Sequence, residues 1–134
     1  MKEEQTFYVV QKAIIKKGNE VLVLNDPIEG LDFPGGKMQE GEGNIMESLK
    51  REVREETELE ISVGNPFYCL IETFPQNHRY AGKKAYVICY RCEYVSGDVK
   101  LSHEHNNFKW VTIENCKSVD DGTSYYRILE KYFE

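Results

Sequence analysis

Long apolar runs are absent from this chain. None approaches the roughly 20 residues that a membrane-crossing helix needs. The opening Met1-Lys-Glu-Glu-Gln-Thr6 has no secretory-signal pattern either, so the expected location is the cytoplasm and no membrane partner is expected. Positive charge is also scarce. Seventeen Lys and Arg stand against 23 Asp and Glu, and the net charge of −6 argues against a stable nucleic-acid partner or an anionic membrane surface. It leaves open a small phosphorylated substrate, because a bound cation inverts the local sign. With only four prolines there is no proline-rich linker, and no repeat or low-complexity segment divides the 134 residues. One domain spanning 1–134, large enough for a real core, is the expectation.

Four cysteines do not make a framework. Cys89 and Cys92 form a C-x-x-C, yet they lie in Lys84–Tyr94, which alternates like a strand. Residues three apart on a strand face opposite ways, so this pair is not expected to chelate one ion. Cys69 and Cys116 are isolated, and free thiols are expected throughout. His103-Glu104-His105 looks like a metal cluster, but an extended segment would turn Glu104 away from both histidines.

What the chain does have is acid at helical spacing. In Arg51-Glu52-Val53-Arg54-Glu55-Glu56, three carboxylates stand at i, i+3 and i+4, within an arc of roughly 100° on adjacent turns. Like charges so placed repel, and the C-terminal half of a helix is already partly negative. A cation among them relieves that crowding, and hard oxygen ligands suit Mg²⁺ or Mn²⁺. The interleaved Lys50, Arg51 and Arg54 admit a plainer reading, a solvated face laced with salt bridges. The preceding segment, Phe33-Pro34-Gly35-Gly36-Lys37 through Glu42, favours the cation, since a Pro-Gly-Gly turn lets backbone approach an ion or phosphate closely.

Loop and helix together resemble the signature of the Nudix hydrolases. Gly36 and Glu42 match with the expected five-residue gap, and Arg51, Glu52, Val53, Glu55, Glu56 and Leu59 match the remainder. Two departures stand out. Eight residues rather than seven separate Glu42 from Arg51, which places an extra residue at Gly43-Asn44 with Asn44 as helix N-cap. Glu58 occupies the position of the family's last Gly, at a cost of about 1 kcal/mol if the left-handed terminus is kept.

The resemblance implies a Nudix-type α/β/α sandwich with a mixed central sheet. It also implies metal-dependent hydrolysis of a phosphoanhydride in a nucleoside diphosphate linked to another group, such as a nucleoside triphosphate, dinucleoside polyphosphate or nucleotide sugar. Mg²⁺ or Mn²⁺ would be held by Glu52, Glu55 and Glu56 with the Gly35 carbonyl in reach, and Glu42 as a further ligand. Arg51 would orient the glutamates. Ser102–His105 followed by Phe108–Val111 resembles the family's Glu-His…Trp-Val stretch, so Glu104 is the expected downstream acid, with Glu93 its competitor. The base stays open between Glu52, Glu55 and that acid. Many relatives form homodimers, which this chain's strands and aromatics permit. The other class of reading is a nucleotide-binding sensor of the same fold, a fate that usually costs the acidic cluster.

The rest reads in outline. A hairpin joins Phe7–Ile15 to Val21–Leu24, and Asn25–Asp32 is a connecting loop. A helix runs from about Ile45 to Thr57, with Ile45, Leu49 and Val53 as its buried stripe. Strands follow at Ile61–Phe74, broken near Gly64-Asn65-Pro66, at Ala85–Tyr94 and at Phe108–Ile113, before a helical tail from Ser124. The basic loop Pro75–Lys84 offers Arg79, Tyr80 and Lys83 as candidate substrate contacts.

Overall fold

Alternation along the first strand sets the whole architecture. In β1 (Tyr8–Lys17), Val10 and Ile14 face one way while Ala13 and Ile15 face the other, and all four are buried. A strand apolar on both faces belongs in the middle of a sheet. The computed structural model, which describes residues 1–134, places it there. The strand order is β3 (Gly30–Asp32), β2 (Glu20–Asp26), β1, β6 (Lys84–Ser96), β5 (Glu60–Thr73). β4 (Gly35–Lys37) pairs with β1, and β7 (Asn107–Val111) with β2. β1 and β6 run parallel and every other pairing is antiparallel, so the sheet is mixed.

One helix covers each face. α1 (Ile45–Thr57) sends Leu49 and Val53 into a core with Ala13, Ile15, Leu22, Leu24, Leu59 and Ile61. α2 (Tyr126–Tyr132) sends Ile128 and Leu129 into the opposite core with Val10, Ile14, Val23, Phe33 and Val87. Cys89 belongs to the second core and Cys92 to the first, so the C-x-x-C thiols are separated by the sheet and burial pushes both up to about 12. All four cysteines are free.

Three local readings need correction. Ile45, expected in the buried stripe, is 47% exposed, because it sits in the first turn before the helix settles onto the sheet. The segment read as a loop from Asn25 to Asp32 contains β3, which pairs back onto β2. The break expected near Gly64-Asn65-Pro66 is a pair of register shifts within one continuous strand, since a bulge absorbs a proline without ending the pairing.

The ends of α1 absorb both departures in the motif. Asn44 accepts from the Glu47 N–H at 3.0 Å, and a Cβ at Gly43 would meet open space, so the extra residue is taken up outside the helix. Glu58 ends the helix at φ 61°, ψ 18°, the left-handed shape that glycine adopts freely. Glu58→Gly should therefore raise unfolding stability by up to about 1 kcal/mol, the relief of the left-handed penalty less the entropy glycine adds to the unfolded chain. Denaturant midpoints check this, and an unchanged or lowered midpoint would show that Glu58 is unstrained.

Candidate active site

The Gly-Gly pair of β4 is dictated by crowding. Gly35, at φ 147°, lies so close to β1 that a Cβ there would run into the Gln11 carbonyl oxygen at 2.0 Å. A Cβ on Gly36 would meet Glu52 Oε2 at 2.8 Å. Only glycine brings this strand hard against both the sheet and the acidic face of α1. Its reward is a contact at 2.7 Å, where the Gly35 N–H donates to Glu56 Oε1. The Gly35 N–H thus ties β4 to the acidic face of α1.

Arg51 gathers the rest of the acidic face. Its Nε and Nη2 donate to Glu42 at 2.8 and 2.9 Å, Nη2 also reaches Glu52 at 3.0 Å, and Nη1 reaches Glu55 at 2.6 Å. Glu42 is further tied to the Gln39 N–H and Ser48 hydroxyl, and Arg51 and those donors hold its carboxyl down at about 2. The guanidinium therefore serves Glu42, Glu52 and Glu55 at once. Glu56 lies beyond its reach and is neutralised differently. Burial, with the facing Glu104 and Asp32 and despite Lys12 and the Gly35 N–H, pushes its carboxyl up to about 8. Glu56 and Glu104 face one another closely enough to share a proton.

Glu56, Glu104, Gly35, Gly36 and Lys37 line a cavity of about 250 Å³, with the exposed Glu104 marking its mouth. Glu52 and Glu55 lie beside this mouth rather than in its wall; burial raises the Glu52 carboxyl, with Arg51 opposing. Glu93 is exposed on β6 and does not line the cavity. From the basic loop, Pro75 and His78 line the wall, but Arg79, Tyr80 and Lys83 do not. Tyr80 stacks on Tyr8 at 4.3 Å, Arg79 packs over the Tyr80 ring at 4.8 Å, and Lys37 hangs above Tyr80 at 5.5 Å.

Sequence reasoning turned Glu104 away from its histidine neighbours, and this is corrected. The segment is a turn, closed by the His105 N–H on the Ser102 carbonyl at 3.4 Å, so it lacks strand alternation. Glu104 and His105 consequently enter the same cavity wall. Missed altogether was the polar floor. Lys12 Nζ lies 3.0 Å from Asp32 Oδ1 and 3.2 Å from the Phe33 carbonyl, and Asp32 Oδ2 lies 2.9 Å from His105 Nε2. Burial opposes the Lys12 charge, but Asp32, Tyr125 and Glu56 outweigh it and hold the ammonium above its usual range. One signal was present: apart from Gln11, Lys12 interrupts an apolar strand, Val9 to Ile15, where an unpaired charge is almost never buried.

The family model for the NUDIX domain matches residues 5–132. The chain belongs to the Nudix family. This Nudix hydrolase is 30% identical to the nucleoside triphosphatase NudI of Klebsiella pneumoniae over 123 residues, 84% of this chain and 86% of that one. It superposes on the crystal structure of a MutT protein from Methanosarcina mazei Go1 with a TM-score of 0.76 and 29% identity, covering 98% of this chain and 96% of that. An Ap4A hydrolase from C. elegans shares the fold, with a TM-score of 0.70 and 23% identity over 93% of this chain and 94% of that. Nudix hydrolases act on phosphoanhydride bonds, generally with a divalent metal, and this chain presents acidic groups able to hold one. None of its helices is long and apolar enough to cross a membrane.

Proposed function

We propose that this Nudix hydrolase is a Mg²⁺- or Mn²⁺-dependent pyrophosphohydrolase whose substrate is a nucleoside triphosphate. The observation that carries the reading is the Glu56–Glu104 pair, a buried and an exposed carboxyl group whose oxygens lie within 4.8 Å of one another at the cavity mouth, with the Gly35 N–H fixing Glu56. Carboxylates so arranged either share a proton or surround a cation, and the all-oxygen character of the set suits Mg²⁺ or Mn²⁺. Glu56, Glu104, Glu52 and Glu55 would hold the ion, which when bound neutralises phosphate charge and acidifies water.

The protein's own groups do the remaining work by position. Arg51 clamps both carboxylates from one side, holding Glu55 by its two oxygens and Glu52 by Oε1, which fixes the direction of Glu52 Oε2. A carboxylate among Glu52, Glu55 and Glu104 takes the proton of the water that attacks phosphorus, as the phosphoanhydride P–O bond breaks. The nucleoside occupies the cavity, walled by Phe74, His78 and Tyr125. Arg79, Tyr80 and Lys83 are reserved for phosphates that extend past the mouth. The nucleoside triphosphatase relative favours a triphosphate over the dinucleoside polyphosphates suggested by fold alone.

Product release from nucleoside triphosphates, dinucleoside polyphosphates and nucleotide sugars, with Mg²⁺, Mn²⁺ or chelator, tests the reading. Metal-dependent turnover highest on a triphosphate is expected. Glu104→Gln should lower kcat by about 100-fold; an unchanged rate removes Glu104 from the chemistry. Arg79→Ala with unaltered kinetics on the best substrate would likewise remove the outer-loop contact. Nucleotide binding without any product would convert the assignment to a sensor.

A further inference from the structure

Glu56 and Glu104 are not the only donors that converge at the cavity mouth. A ring nitrogen of His105 lies within 4.8 Å of carboxylate oxygens of both. The histidine is held rigidly, its side chain 2% exposed and its Nε2 2.9 Å from Asp32 Oδ2. Asp32 in turn receives Lys12 at 3.0 Å and the Phe33 N–H at 2.8 Å, contacts that keep it ionised. An ionised carboxylate can only accept, so Nε2 carries a proton, and the lone pair of the neutral imidazole belongs to Nδ1.

That Nδ1 is buried and has no hydrogen-bond partner, the one side-chain polar atom in the protein of which this is true. Buried polar atoms are nearly always satisfied, so an orphan asks for an explanation. Neither protonation state of the ring supplies a partner. An imidazole whose one nitrogen is fixed by a carboxylate and whose other has no partner, in a ring that brings a nitrogen within 4.8 Å of two further acids, has the arrangement of a metal-ligating histidine.

We propose that His105 donates an imidazole nitrogen to the divalent ion held by Glu56 and Glu104, with Asp32 and Lys12 as the support that orients the ring. This rests on the reading above that those carboxylates hold the ion. It changes the character of the site from all-oxygen to mixed nitrogen and oxygen. Mg²⁺ gains little from an imidazole, whereas Co²⁺, Ni²⁺ and Zn²⁺ gain much, and Mn²⁺ lies between. The chain is thereby fitted to a transition-metal ion in preference to Mg²⁺.

Two measurements test this. Protein carrying ¹⁵N-histidine is titrated with Zn²⁺ while its imidazole nitrogen resonances are followed, with His78 and His103 as internal controls assigned by replacing each in turn. The His105 Nδ1 resonance should move upfield from the lone-pair region, and the controls should stay. Calorimetric affinities for Co²⁺ and Mg²⁺ are then compared in wild type and His105→Gln. The variant should lose at least about tenfold for Co²⁺ and much less for Mg²⁺. If the variant fails to fold, the wild-type spectra decide alone. Zn²⁺ binding that Glu56→Gln abolishes but that leaves His105 Nδ1 unmoved would overturn the inference and leave the carboxylate site intact. No binding of any ion would overturn both.

Discussion

Glu56→Gln should lower kcat by about three orders of magnitude while leaving the protein folded. The isosteric amide keeps an oxygen for the Gly35 N–H, so the 2.7 Å contact that joins α1 to β4 survives. What it cannot do is carry negative charge toward an ion. The same substitution has a signature in stability. Burial holds the Glu56 carboxyl up at about 8 in the metal-free fold, against about 4.3 for a free glutamate. Between those values the folded state binds the extra proton, so metal-free stability falls as pH rises from about 4 to 8, with a slope of at most about 1.4 kcal/mol per pH unit. Glu56→Gln removes the Glu56 part of that slope, leaving the parts from His105 and Glu52, and should match or exceed wild type in stability at pH 8. Metal binding near pH 7 should release about one proton from the wild type and less from the variant, as read by calorimetry in buffers of different ionisation enthalpy. A variant with normal turnover, or one whose stability keeps the wild-type pH slope, would place the acid function elsewhere.

That one residue illustrates how much was legible. Its presence on α1, its spacing from Glu52 and Glu55, and the span of the helix could all be read, because periodicity and capping act within a few residues. Its separation from its sisters could not. Arg51 serves Glu52 and Glu55, while Glu56 turns inward to Gly35, and that division depends on where β4 docks. Glu104 was placed by resemblance, yet its relation to His105 was misjudged, since strand alternation was assumed where the chain turns. The second miss is a local turn read as strand, whereas the first concerns a contact over a long sequence separation, which local pattern does not encode. The Lys12–Asp32–His105 floor is the extreme case, joining β1, β3 and a loop 73 residues further on.

The same floor yields the largest expected loss of stability. Lys12 is 7% exposed, and its ammonium is the principal countercharge of Asp32. Lys12→Met keeps the length and apolar stem but strands a largely buried carboxylate, which should cost about 3 kcal/mol, at the lower end for broken buried pairs because His105 still contacts Asp32. Lys12→Met/Asp32→Asn should recover more than half of that loss, since the amide keeps a partner for the Phe33 N–H and no charge is left behind. Denaturant unfolding of the four proteins of this cycle measures the coupling, and additive losses would mean the pair contributes nothing to the fold. The pH dependence separates the Lys12–Asp32 pair from Glu56. Lys12 is raised, so its contribution is complete below the ordinary lysine range and is lost only above it; Asp32 is lowered, so its contribution is lost only as pH falls below the ordinary aspartate range. Across pH 5 to 9, roughly, the Lys12–Asp32 pair is therefore silent, and the wild-type fall in stability there belongs to Glu56 together with His105, which Asp32 holds above the ordinary histidine range. Lys12→Met should lower the stability profile in that window and carry its fall to higher pH, because the ammonium opposes protonation of both Glu56 and His105.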